Sequence, residues 1–308
     1  MRTSAATFAL ACLAAGPALA VDWAAVPGSP VTLFYPGQSS YEWVLTPGDH
    51  GGAAKFREGK NCRECHKGEE QTMGSTLVSG KKNEPTPIAG KPGFLPVTVK
   101  VAHDDKMLYV HLEFAEGSQP DAKQDPNFAT KVTMILNDGG VPEANRAGCW
   151  VACHDDAARM PSAADADRPK YLLKTRAKVT RTGGGDELKP ADELSKLAAA
   201  GYRLEYWQAR LNPGAAAVAA NGIITDKRQE ANPVAAKADA TFAGGKWAVT
   251  LSRPLSAGAP FKDLVPGKTY TVGFAIHAGH TARRFHYVSF EHTLVLDQGD
   301  ADLVAKKN

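Results

Sequence analysis

From residue 94 onward the chain alternates apolar and polar side chains with a period of two. Residues 95–101 (LPVTVKV) and 107–114 (MLYVHLEF) each present one apolar face, and the polar run His103-Asp104-Asp105-Lys106 between them has turn chemistry. The same pattern predicts strands over 131–137 (KVTMILN), 202–211, 238–242, 246–253, 270–276 and 285–296. Gly244-Gly245 stands where a two-residue turn would join the strands 238–242 and 246–253. Helix is predicted only in short pieces, one opened by Asp49 and His50 and running through Ala53 to Glu58, the other starting near Pro190. Residues 77–93, crowded with Gly, Pro and Lys, read as a loop that wraps a cofactor or links two parts. Many short strands punctuated by Gly and Pro predict a mainly β chain, an antiparallel β-sandwich preceded by an irregular, short-helical segment.

The first twenty residues break the pattern. MRTSAATFALACLAAGPALA has one arginine, an apolar run and the small-x-small ending Ala18-Leu19-Ala20, which predicts a signal peptide cleaved after Ala20. No later stretch reaches the roughly 20 apolar residues that a bilayer span requires, so the expectation is a periplasmic protein without stable membrane insertion. Three parts are expected: 1–20 as the signal peptide, 21–93 as a segment carrying the first cysteine pair, and 94–308 as the sandwich with the second pair in a loop. The 36 Lys and Arg against 33 Asp and Glu leave a formal charge of +3, which argues against a nucleic-acid partner.

Removing the leader takes away Cys12 and leaves Cys62, Cys65, Cys149 and Cys153, two pairs each closed by a histidine. Cys62-Arg63-Glu64-Cys65-His66 has the spacing of covalent c-type haem attachment: two thiols to add across the vinyl groups and an imidazole directly after them to reach the iron. Cys149-Trp150-Val151-Ala152-Cys153-His154 carries one residue more between its thiols, which a bulged loop can absorb. A disulfide within each pair would leave the trailing histidines unexplained. A four-cysteine zinc site would have to bring the pairs together across a strand-rich interval. Two covalent c haems are therefore expected, with His66 and His154 as the proximal axial ligands.

The segments YRLEYWQARL, GGKWAVTLSRPL, VGFAIHAGHTARRFHYVSFEHTL and AGCWVACHDDAARMP, taken in order over about residues 94–296, resemble the haem-binding domain of the ethylbenzene dehydrogenase and dimethylsulfide dehydrogenase gamma-subunit type, in its c-type cytochrome branch. The resemblance implies a haem-holding β-sandwich that passes electrons in the periplasm. Those gamma subunits hold a non-covalent haem b between a methionine and a lysine. Their ligand pair does not transfer onto a chain with two attachment motifs, and a third, b-type haem using Met107 or Met134 is disfavoured.

The opposite face of each iron needs a sixth ligand. His50, between Asp49 and two glycines, and His280 and His286, in the cluster of histidines near the C-terminus, are the leading candidates; His277, Met160 and Met73 are weaker ones. Imidazole on both faces predicts a low-potential carrier, whereas a thioether would raise the potential. Lys55, Arg57, Lys60, Arg63, Lys67, Lys81 and Lys82 surround the first motif, and Asp155, Asp156, Asp165 and Asp167 follow the second, a polarity that would steer an acidic redox partner to the first haem. No nucleophile and base stand in a recognisable pattern, so no catalytic residue is expected. The expected role is a dihaem electron relay between a membrane quinol-oxidising cytochrome and a terminal oxidoreductase. The alternatives are the electron-transfer subunit of a molybdenum enzyme, a reductase with one five-coordinate iron, and a carbohydrate-binding sandwich using Trp207 and Trp247.

Overall fold

The structure, a computed structural model, describes residues 21–154, 156–157, 170–178 and 187–308. The predicted leader and Asp155, Met160, Asp165 and Asp167 lie outside the described residues, and Cys153 is described by its backbone alone. In chain order come β1 (Ser29–Phe34), α1 (Tyr41–Val44), α2 (Ala53–Arg57), α3 (Cys62–His66) and α4 (Glu70–Val78). Then follow β2 (Phe94–His103), β3 (Met107–Ala115), β4 (Thr130–Asn137), α5 (Ala144–Ala147), β5 (Ala152–His154), β6 (Lys170–Leu172) and α6 (Ala191–Ala199). The remainder is strand: β7 (Leu204–Leu211), β8 (Val218–Ile224), β9 (Arg228–Glu230), β10 (Lys237–Ala243), β11 (Lys246–Pro254), β12 (Tyr270–His277), β13 (Tyr287–Val288), β14 (His292–Leu296) and β15 (Leu303–Lys307).

Thirteen of these strands form one sheet, in the order β10-β11-β3-β2-β1-β13-β12-β4-β7-β8-β9, with β14 and β15 joining β12 to β2 at one side. All pairs are antiparallel except those of β15. The sheet curls back on itself, so β10 and β11 meet β7 and β8, and the alternating apolar positions of both halves interleave: Val110, Leu112, Val249 and Leu251 against Val132, Met134, Trp207, Val272 and Phe274. This is the expected antiparallel sandwich. At its end Glu205 and Arg253, both almost fully buried, form an ion pair at 2.6 Å, and Trp207 donates its indole N–H to the same carboxylate at 2.5 Å.

Six strands escaped the alternation argument; β5, β6 and β9, at three residues each, are too short to show it. β1 is short and hemmed by Pro and Gly, and β8 contains Asn221-Gly222, a pair that reads as a turn. Gly222 is needed where it is: a Cβ there would stand 1.9 Å from the Gln229 carbonyl oxygen of the neighbouring β9. β15 returns after a turn to run parallel to β14. Helix α4 also went unpredicted, its apolar positions Gly74 and Leu77 being too few to signal a face.

The predicted strand 285–296 is interrupted. β12 pairs with Val288 at Ala275 and with His292 at Val272, so β12 advances three residues while its partner advances four. The extra residue is a β-bulge, at which Ser289 bonds the Phe274 backbone through both its own N–H and its side-chain hydroxyl. A bulge flips side-chain parity. Tyr287 and Leu294 therefore both enter the sandwich core, while His286, Val288 and Phe290 face the outer side. Placing His286 and Leu294 on one inner face, as unbroken alternation requires, is corrected by this inserted residue.

Beyond the sandwich a second core lies on the outer face of the β12-β4-β7-β8 half. Ile135, Tyr206 and Ile224 point outward there and are covered by Val141, Ala144, Val151, Tyr171 and Leu172. Both cofactor segments are excursions between paired strands: Phe34 stands opposite Phe94 and Leu136 opposite Glu205.

Lys91 tests the burial of the sandwich. It is 5% exposed, its ammonium sits 4.2 Å from the Tyr287 ring centroid, and its Nζ has no hydrogen-bond partner among the described residues. Burial pushes it down to about 7, opposed weakly by Glu116. An unfolded chain keeps an ordinary lysine, so between pH about 7 and about 10 it binds a proton that the folded chain lacks, and stability rises with pH across that window. Lys91→Met is expected to raise the urea midpoint at pH 7 and to flatten this rise; an unchanged slope between pH 7 and about 9.5 would contradict the burial.

Candidate functional site

The first motif is a helix. Asn61 caps α3 by accepting from the Glu64 N–H, and the Glu64 carboxylate returns the bond to the Asn61 N–H, both at 2.8 Å. This reciprocal cap holds Cys62, Cys65 and His66 on one short turn against a cavity of about 750 Å³. Its walls include Phe34, Trp43, Val44, Phe56, Leu77, Trp150 and Phe290, and its rim Lys55, Lys60 and Lys82. The expected cofactor loop supplies Lys82, and α4 supplies Thr72, Met73 and Thr76.

His50 faces His66 across this space, with ring centroids 5.9 Å apart. Two imidazoles trans on one metal, with bonds of about 2 Å each, place their centroids about 6 Å apart. Each ring is also fixed in the same tautomer. His50 Nδ1 lies 2.9 Å from the Val44 carbonyl oxygen and His66 Nδ1 lies 2.9 Å from the Glu69 carboxylate, so both Nδ1–H groups donate outward and both Nε2 lone pairs are left free. Metal-bound histidines are oriented by such bonds. Burial, the main influence, holds His50 below its ordinary value, and the neighbouring His66 and Lys82 add to this, while the Val44 bond opposes it. A neutral ring keeps its lone pair for coordination. The donors, the apolar walls and the volume fit a haem.

The second motif spans a turn of 3-10 helix over Gly148–Val151 and the strand β5, which pairs with β6. It rests on the outer face of β12, where Gly273 clears the way: a Cβ there would stand 2.9 Å from Cys149 Sγ. Burial raises the Cys149 thiol to about 11. Two adjoining cavities of about 300 and 40 Å³ share His154, His286, Lys170, Thr133, Ile135 and Ala275. His154 meets His286 edge-on at 5.4 Å, and His286 meets His277 at 4.9 Å.

These three rings are neutral. Burial pushes His286 down to about 3 and takes His154 and His277 well below the usual range, with Lys170 adding to the effect on all three. His277 donates Nε2–H to the Arg283 carbonyl at 2.9 Å, while His277 Nδ1 and His286 Nδ1 are buried without a hydrogen-bond partner among the described residues. A buried imidazole nitrogen left bare is a ligand in waiting. Lys131, Lys170, Arg210, Arg228 and Arg283 line the larger cavity and Asp125 is the one acid among the described lining residues, a wall suited to the carboxylates of a porphyrin.

The structure thus brings His50 and Met73 to His66, and His286 and His277 to His154. His280 goes elsewhere: its positive φ of 54° turns it to the Asp125 carbonyl at 2.7 Å, and it lines neither motif's cavity. Met134 is packed in the sandwich core. His103 and His111 are engaged with Asp297 and Thr250. Asp156 does not extend an acidic face, because Arg284 pairs with it at 3.0 Å. Glu69 and Phe290 were missed in the sequence; Glu69 reaches His66 because the chain turns at Lys67 and Gly68 between α3 and α4, which no helical spacing announces. Phe290 reaches the site because the face it shares with His286 and Val288 is the outer one.

A family model described as ethylbenzene dehydrogenase matches residues 20–237 and 221–289. Cytochrome c-552 of Stutzerimonas stutzeri is 34% identical over 292 residues, 94% of this chain and 91% of that protein. Cytochrome c-551 of Rhodocyclus tenuis is 28% identical over 291 residues, 94% of this chain and 100% of that protein. Among solved structures, a family 9 carbohydrate-binding module from Caldicellulosiruptor kristjanssonii overlays 63% of this chain and 66% of its own at 13% identity and a TM-score of 0.32, too slight to carry an argument. With kinship extending over almost its whole length, the chain belongs to the ethylbenzene dehydrogenase family as a c-type cytochrome, a haem c protein of electron transfer.

Proposed function

We propose that this chain binds two covalent haems, at Cys62/Cys65 and at Cys149/Cys153, and relays single electrons in the periplasm between a membrane quinol-oxidising cytochrome and a terminal oxidoreductase. The observation that carries the reading is the pairing of His50 with His66 at 5.9 Å, both Nε2 atoms free. Bound haem supplies the one-electron chemistry. The chain's own work is to hold four imidazoles, His50 and His66 at one site and His154 and His286 at the other, and to close the walls around them with Phe34, Trp43, Trp150 and Phe290. With haem bound, an imidazole from each side of the porphyrin would leave no position for a substrate, which favours a carrier over a reductase. The exposed Lys55, Lys60 and Lys82 at the first cavity suit an acidic partner surface. The family match also favours a second reading, in which the carrier serves as a subunit of a molybdenum enzyme; co-purification with a large molybdenum-containing chain distinguishes it.

Expressed in a host that matures c-type cytochromes, the protein is expected to exceed the mass of the processed polypeptide by two haems and to retain both in acidified acetone. Replacing Cys149 and Cys153 together by Ser removes one haem and leaves the other. A wild-type mass with one haem or none defeats the dihaem reading.

His50→Ala and His286→Ala are each expected to convert one haem from low to high spin and to let the reduced protein bind carbon monoxide, effects read by visible absorption and electron paramagnetic resonance. His280→Ala and Met73→Leu leave the spectra as they were. High spin already present in the wild-type ferric protein would favour the reductase instead.

A further inference from the structure

We propose that Trp150 and Phe290 form the route by which electrons cross between the two motif sites, an inference that rests on both sites holding haem. Trp150 lines the cavities of both motifs. It stacks on Phe290 at 5.9 Å and 29°, and Phe290 stacks on His66 at 6.1 Å and 18°. Phe34 closes the stack from the side, 5.4 Å from Trp150 and 4.8 Å from Phe290. The sequence of rings therefore begins at an imidazole of the first site and ends at the residue bonded directly to Cys149, inside the second clasp.

Two features separate this arrangement from plain packing. A partition that only had to exclude water could be built from leucines, but here three rings in succession lie within 30° of parallel. The parts are also specially delivered. Trp150 belongs to the clasp whose thiol spacing is one residue longer than the first, and Phe290 continues the outward face of His286 and Val288 at the bulge between β13 and β14, beyond which the even positions turn inward. Electron tunnelling decays less steeply through atoms in contact than across a void, and delocalised rings give the electron intervening orbitals. In the step one iron is oxidised and the other reduced by the same electron; Trp150 and Phe290 remain closed-shell and no proton moves.

The test uses the matured protein, reduced by one equivalent with a photogenerated flavin semiquinone, and follows the redistribution of charge between the sites. In Trp150→Leu and in Phe290→Leu, with the driving force read by potentiometry and allowed for, redistribution is expected to slow by an order of magnitude or more, while intact mass still shows both haems. Trp150→Phe restores most of the rate, which a purely structural effect would not require. If Trp150→Leu fails to mature, Phe290→Leu, outside both clasps, carries the comparison. Unchanged redistribution in Phe290→Leu with both haems present overturns the route but not the dihaem reading; a wild-type mass with a single haem overturns both.

Discussion

One half of the sheet must bury both of its faces, and the second site depends on that constraint. Along β12, Val272, Phe274 and Ile276 enter the sandwich, while Thr271, Gly273, Ala275 and His277 lie under the covering segment. β4 and β7 divide in the same way, with Met134 and Trp207 inside and Ile135 and Tyr206 outside. An antiparallel sheet ordinarily leaves one face to water. Here the outer face is apolar where the covering segment packs and basic where the cavity opens, which turns a structural wall into the floor of a cavity. Removing the cover would expose Ile135, Ile224 and the neutral histidines to solvent.

The same burial sets the chemistry. An imidazole in water near neutral pH is partly protonated and a poor ligand. His50, His154, His277 and His286 are all held below the ordinary value, chiefly by desolvation. At the first site the Val44 carbonyl and the Glu69 carboxylate also decide which nitrogen carries the proton. The chain thereby presents ready-made lone pairs, and little reorganisation is needed when an electron arrives or leaves.

How much of this was legible beforehand follows from the range of each signal. Alternation in KVTMILN or MLYVHLEF is local, so β4 and β3 were read to within a residue or two. The motif Cys62 to His66 is local as well. His50 was legible because the glycines beside it leave room for a flat ring. By contrast, the bulge at residue 289 is a count of residues against a distant strand, and no local pattern announces it. That single residue decides that Leu294 points into the sandwich while Phe290 points away from it. His280 looked as good as His286 in sequence, and only the turn that directs it to the Asp125 carbonyl tells them apart.

The register of the sheet has a historical corollary. Phe34 and Phe94 are neighbours across β1 and β2, so everything from Tyr35 to Gly93 leaves and re-enters the sandwich through one narrow doorway, and Leu136 and Glu205 frame a second. Closing a longer loop between fixed ends costs entropy only logarithmically in its length. An ancestral sandwich could thus have acquired, exchanged or shed either motif-bearing segment by trading a single insert, with every strand pairing left in place. The scaffold behaves as a chassis with two sockets.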